Sequence, residues 1–147
     1  MKYNKSYEGG KFEDYIEYLQ TIKNRIPTAL FDFISNPERH DLGEKSLHDC
    51  HIKKIEYDCF SKSDYQISIV LVGENRTFTI QCMNISQLRI NQANFGDLYK
   101  DLITYEVGIE KDTFKNDKMI FRAKFPFEEG VIEVFSERLE IKENLSK

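Results

Sequence analysis

Five side chains capable of metal coordination or acid–base chemistry lie close together in this chain: His40, His48, Asp49, Cys50 and His51. They include every histidine of the protein. Imidazole, thiolate and carboxylate are the ligands zinc prefers. A thiol beside an imidazole is also the pairing that activates a cysteine nucleophile. The spacing speaks against both chemistries. It matches no standard zinc signature, and ligands drawn from one loop still need a fourth, or an open catalytic position. In an extended segment Cys50 points away from His51, which leaves only His40 or His48 to activate it. The plainer reading is that His48 and Asp49 anchor the loop to the first strand by hydrogen bonds to backbone. A small metal-binding protein or enzyme built on His40–His51 is the alternative; no cofactor is implied.

A second cluster is purely acidic. Glu128, Glu129, Glu133, Glu137, Glu140 and Glu143 crowd the C-terminal part of the chain. Glu133 is expected on the outer face of its strand. If neighbouring strands bring these carboxylates together, they form an acidic patch, and such a surface steers and selects a basic protein partner. Glu128, Glu129, Glu133 and Glu137 are therefore the candidate partner-binding residues, against the simpler reading of a solvated face. Cys59 and Cys82 share strand parity with apolar neighbours and are expected to be buried, inert thiols. No glycine-rich strand-to-helix turn and no Gly-x-Ser-x-Gly elbow is present.

The elements that must position these groups follow from periodicity. Residues 1–11 read as a loose polar arm. Phe12, Tyr15, Ile16, Leu19, Ile22 and Ile26 recur at helical spacing, with Glu13 and Asp14 early and Lys23 and Arg25 late, which suits the helix dipole. Pro27 ends that helix and opens a short second one presenting Leu30, Phe31 and Ile34, which Ser35-Asn36-Pro37 stops. After Leu47 the period changes to two. Strands are predicted over 50–60, with a bulge, and over 65–71 and 77–82, with a hairpin turn at Gly73-Glu74-Asn75. A short strand is expected over 85–90 and a helical turn within 91–101. Further strands are expected over 103–109, 118–125, 131–135 and 139–141, and a frayed tail over 143–147. This is an α+β fold: two N-terminal helices packed on an antiparallel, mostly meandering sheet of six or seven strands, forming a single domain over 12–142.

Bulk properties narrow the function class. A chain of 147 residues is one domain in size, and 40% hydrophobic content with 11 Phe and 8 Tyr supports a real core. The net charge of −4 lacks the basic footprint of a nucleic-acid binder. An odd count of three cysteines reads as reduced thiols. No apolar leader and no long apolar run is visible, so a cytoplasmic protein away from membranes is expected. Exposed sheet edges also allow a homo-oligomer, in the role of scaffold or accessory subunit.

The run Leu47-His48-Asp49-Cys50-His51-Ile52 resembles small uncharacterised bacterial proteins in which Leu-His-Asp-x-x-Ile opens a β-meander. Tyr105-Glu106-Val107-Gly108 is similar to a later segment of those chains, and the likeness would span about 26–141. The resemblance implies an antiparallel, β-rich domain with no agreed activity. Some proteins of this build sit beside toxin genes and look like immunity proteins. The function expected is therefore a non-enzymatic protein-binding module, most concretely an immunity-type inhibitor of a basic toxin.

Overall fold

The computed structural model describes residues 12–41, 43–62, 64–92, 101–112 and 118–145. The expected N-terminal arm lies outside them, as do most of the expected helical turn within 91–101 and most of the turn before Lys118. Helix α1 spans Phe12–Ile22, carries Glu13 and Asp14 in its first turn, and buries Tyr15, Leu19 and Ile22. One 3₁₀ turn follows at Lys23–Arg25. Pro27 stands at the N-cap of helix α2, Thr28–Ile34, which buries Leu30, Phe31 and Ile34. The ring that cannot continue one helix thus fixes the entry to the next. A second 3₁₀ turn, Pro37–Arg39, is capped by Asn36, whose side chain accepts from the Glu38 N–H at 3.0 Å.

Six strands follow: β1 His51–Ser61, β2 Asp64–Val72, β3 Arg76–Gln92, β4 Glu106–Asp112, β5 Lys118–Phe127 and β6 Gly130–Leu145. They form one antiparallel sheet in the order β1-β2-β3-β6-β5-β4. Two three-stranded meanders are therefore joined back to back through β3 and β6. The α+β class and the helices-then-sheet order agree with the sequence pattern.

β3 and β6 are each longer than the pattern indicates. Each absorbs two of the predicted short strands, and β6 runs on through the expected tail to Leu145. A corner explains the difference. Inward residues on β3 run Phe78, Ile80, Cys82 and then Ile85; on β6 they run Leu139 and then Ser136, Val134, Ile132. Both strands change parity around Asn84, which has a left-handed φ of 55°, and a register shift between Ile85 and Gln87 then changes β3 once more, so that Leu88 stands opposite buried Val134. Such a break re-aims the side chains without ending the strand. Beyond it, Asp101 bridges to His51 of β1 and Leu102 to Phe127 of β5, so the two wings of the sheet are linked at one end.

The core lies inside this bent sheet under α1 and α2. Ile67, Ile69, Leu71, Phe78, Ile80, Cys82, Val107, Ala123, Phe125, Ile132 and Val134 are all essentially inaccessible. Helix α1 is also hydrogen-bonded to the β4 edge. The Tyr15 hydroxyl accepts from the Val107 N–H at 2.9 Å and donates to the Val107 carbonyl at 3.0 Å. The Tyr18 hydroxyl does the same for Ile109, at 3.0 and 3.2 Å. Two phenols thereby satisfy outward backbone groups that another strand would otherwise pair. Among the described residues no helix is long and apolar enough to cross a membrane.

Candidate functional site

The contiguous His–Asp–Cys run separates into an inward and an outward set. His40 packs inward against the core. Its ring stacks on Tyr105 at 4.3 Å between centroids, Tyr15 meets it edge-on, and Nε2 lies 2.7 Å from the Ile34 carbonyl. A carbonyl only accepts, so Nε2 carries the proton. Burial drives the His40 pKa down to about 4, against weaker opposing effects of that hydrogen bond and Asp41. The ring is thus neutral at ordinary pH. Cys50 is buried as well, with Sγ 3.6 Å from the Ser46 carbonyl. Burial, helped by the charges of Asp101 and Asp49, pushes its thiol up to about 11. This is the opposite of what a nucleophilic cysteine needs.

His48, Asp49 and His51 face outward. The chain enters this turn through buried Ser46 and Leu47, and Ser46 Oγ accepts from the His48 N–H at 2.9 Å. Asp49 adopts a left-handed φ of 66°. Its N–H donates to the Leu102 carbonyl at 2.9 Å, and the Leu102 N–H donates to the Cys50 carbonyl at 2.8 Å. His48 Nδ1 is bonded to the Ile103 carbonyl, and its Nε2 lies 3.5 Å from Asp49 Oδ1. The loop is thus laced to residues 101–103. His48, Asp49 and His51 line an open pocket of about 380 Å³ with Glu44, Glu74 and Gly73. At Gly73 a Cβ would stand 3.1 Å from Cys50 Sγ, a tight contact. Among the described residues no group of three or more His, Cys, Asp or Glu is placed to hold a metal ion.

The C-terminal carboxylates also divide. Glu133 is only 5% exposed although it lies on the sheet face away from the helices. Arg122 Nε and Nη2 donate to it at 2.8 and 2.6 Å, Arg89 reaches it at 3.4 Å, and both guanidiniums lie over the Phe135 ring. Glu137 pairs with Lys118 at 3.3 Å and Asn84 at 3.3 Å. Glu143 is held between Arg39 and Arg76, the latter at 2.8 Å. Burial acts to raise its carboxyl, but the two arginines outweigh it and hold the pKa below the ordinary value. These three acids bind within the molecule. Glu128, by contrast, is exposed, and its N–H donates to the Asp101 carbonyl at 3.1 Å. Asp101 in turn bridges to His51. The structure therefore brings Glu128 to the same end as Glu44, Asp49 and Glu74, and sets Glu133 and Glu137 elsewhere.

Sequence reasoning missed the most unusual surface, which is β1. All but one of its residues are exposed, on both faces of the strand. Ile55, Tyr57 and Cys59 pair with Ile69, Ile67 and Tyr65, so they continue the apolar face of the sheet. Yet Ile55 is 36% exposed, Tyr57 55% and Phe60 65%. The expectation that Cys59 is buried is corrected: it is exposed, because β1 lies beyond the helical cover. A length estimate carries the missing signal. Helices of eleven and seven residues span about 16 and 10 Å, while six strands at about 4.8 Å spacing spread wider than either can cover. Among the described residues, the only partner on the outer side of β1 is Asp101, at His51.

No protein-family model matches this sequence, and a search of curated proteins gives no match.

Proposed function

We propose that this chain is a protein-binding module without catalysis of its own, and that β1 is its binding element. The observation that carries the reading is the exposed run Ile55, Tyr57 and Phe60 on a strand whose outer edge is open over most of its length among the described residues. Large apolar side chains left exposed along an unpaired strand edge are a common mark of an interaction site. Strand addition to such an edge gives affinity through main-chain hydrogen bonds and selectivity through alternate side chains. Affinity capture with the wild-type chain and with Tyr57→Lys/Phe60→Lys tests this. The wild type is expected to retain a stoichiometric protein that the variant loses, with folding unchanged by circular dichroism. An identical set of proteins on both would overturn it.

The concrete form we propose is an immunity-type inhibitor of a basic toxin. Exposed Asp49, Glu74 and Glu44, the last bonded to Asn75, line the His48–His51 pocket, and exposed Glu128 is tied through its N–H to Asp101, which bridges to His51; these support that form. Clustered carboxylates at one end speed encounter with a cationic protein and select for it. Asp49→Lys combined with Glu128→Lys is expected to slow association and flatten its salt dependence. Unchanged association would remove the basic partner from the proposal.

A further inference from the structure

The order of side chains along β1 says what fits its edge. Register with β2 shifts between Ile52 and Lys54 and again between Cys59 and Ser61. Bulges at both ends leave residues 54–59 as the regular stretch open to pairing, which restricts promiscuous strand addition. On one face of this stretch stand Lys54, Glu56 and Asp58; on the other stand Ile55, Tyr57 and Cys59. Tyr57 is already stacked on Tyr65, with centroids 6.0 Å apart.

Two copies that pair antiparallel through this edge are related by a two-fold axis normal to the sheet. Such an axis keeps each face on its own side, so only residues of equal parity stand opposite one another. Few registers then remain. Centred on Tyr57, Glu56 would face Asp58 of the second copy. Centred on Glu56, Lys54 would face Asp58 at both ends, but the two Glu56 carboxylates would face each other at the centre. Centred on Ile55, Lys54 of each copy faces Glu56 of the other, and Ile55 meets Ile55. Lys54 and Glu56 already form an ion pair within one chain, so both heads lie on the required face. Opposite charges directly across an antiparallel pair stabilise it, and like charges destabilise it. That register alone gives opposite charges with no like-charge contact, and it pairs residues 54–56 of each copy, stopping where the bulge after Ile52 and the Asp101 bridge at His51 end the open edge.

We propose that a second copy of this chain occupies the β1 edge, in the antiparallel register centred on Ile55, joining two six-stranded sheets into one. This rests on the reading of β1 as the binding element and names its partner. The pairing uses the strand edge and leaves the faces free, so Tyr57 and Tyr65 of both copies line one continuous surface. An interface of one strand pair is small, and it forms a reversible, concentration-dependent dimer.

Sedimentation equilibrium of the full chain over a wide concentration range tests the proposal. A monomer–dimer equilibrium is expected for the wild type. Lys54→Glu, or Glu56→Lys, sets like charges opposite each other at two places and should weaken the dimer about thirtyfold, at about 1 kcal/mol per pair. The double variant Lys54→Glu/Glu56→Lys should restore it. An equimolar mixture of the two single variants should form a heterodimer, because both cross-strand contacts are then again opposite in charge. Both side chains are exposed, and circular dichroism checks that each variant folds. A chain that stays monomeric at every concentration would overturn the self-pairing, as would a dimer indifferent to these reversals. If the chain is monomeric but Tyr57→Lys/Phe60→Lys still loses a foreign protein, the binding reading stands and the second copy is excluded. If neither variant set changes anything, both fall.

Discussion

The two edges of this sheet meet the same physical problem in different ways. Any outermost strand presents backbone N–H and carbonyl groups that need partners. At β4, helix α1 brings two tyrosines whose hydroxyls pair with Val107 and Ile109, each giving and receiving one hydrogen bond. That edge is finished from within the chain. Among the described residues no helix pairs with β1 in this way. The strand carries exposed apolar residues on one face and an ordered set of charges on the other. Among the described residues the fold thus closes one edge with its own side chains and leaves most of the other without a strand partner.

The largest effect expected from breaking this contrast is at Tyr15. Tyr15→Phe keeps the ring and removes the hydroxyl, leaving the Val107 N–H and carbonyl buried without that partner. A loss of about 3 kcal/mol is expected, or roughly 10 °C in Tm for a chain of this size, measured by thermal denaturation. Next comes acid sensitivity from His40, which packs against the same tyrosine. Its folded pKa of about 4 lies below the ordinary histidine value of 6.5. The unfolded chain therefore takes up a proton that the folded chain refuses. The stability owed to the neutral ring is complete above about pH 6.5 and lost progressively towards pH 4, by about 3 kcal/mol in all. His40→Gln should flatten that slope in urea titrations across the same window. A further loss comes from Glu143, whose folded pKa is depressed. Its contribution is present above the ordinary carboxylate value and disappears as pH falls through the lowered one. Glu143→Gln should cost about 2 kcal/mol at neutral pH and remove that last acid step.

Smaller effects sharpen the contrast. Tyr18 is half-buried, and Tyr18→Phe should cost about 1 kcal/mol in chemical denaturation. Tyr57→Thr, a larger change in side chain but on the open edge, should alter the stability of the isolated chain by less than about 0.5 kcal/mol. If Tyr57→Thr proved as damaging as Tyr15→Phe in dilute solution, β1 would be part of the monomer's core and the contrast would fail.

Much of the fold is legible in the sequence because local period and burial agree. Tyr15, Leu19 and Ile22 mark α1; Ile67, Ile69 and Leu71 mark β2; Phe121, Ala123 and Phe125 mark β5. The pattern misleads where geometry resets it. The corner at Asn84 flips the parity of β3 and β6, so each long strand reads as two short ones. Proximity in sequence misleads in the same way at the site. His40 and Cys50 lie near His48 in the chain, but the 3₁₀ turn at Pro37–Arg39 and the left-handed Asp49 send them into the core. Glu133 follows the strand alternation, yet Arg122 and Arg89 bury it, and those partners come from β5 and β3. No local signal reports contacts of that range. The openness of β1 is invisible to alternation too, because Ile55, Tyr57 and Cys59 carry the same pattern as a covered strand.

The most direct test is amide hydrogen exchange of the 147-residue chain, followed by mass spectrometry at high and at low protein concentration. β4 amides, Val107 and Ile109 among them, should be equally protected at both. β1 amides within 54–56 should be protected when concentrated and should exchange faster on dilution, and Lys54→Glu should move that protection to about thirtyfold higher concentration. Protection of β1 that is complete and independent of concentration would show that its edge is closed within the monomer, and would contradict the account.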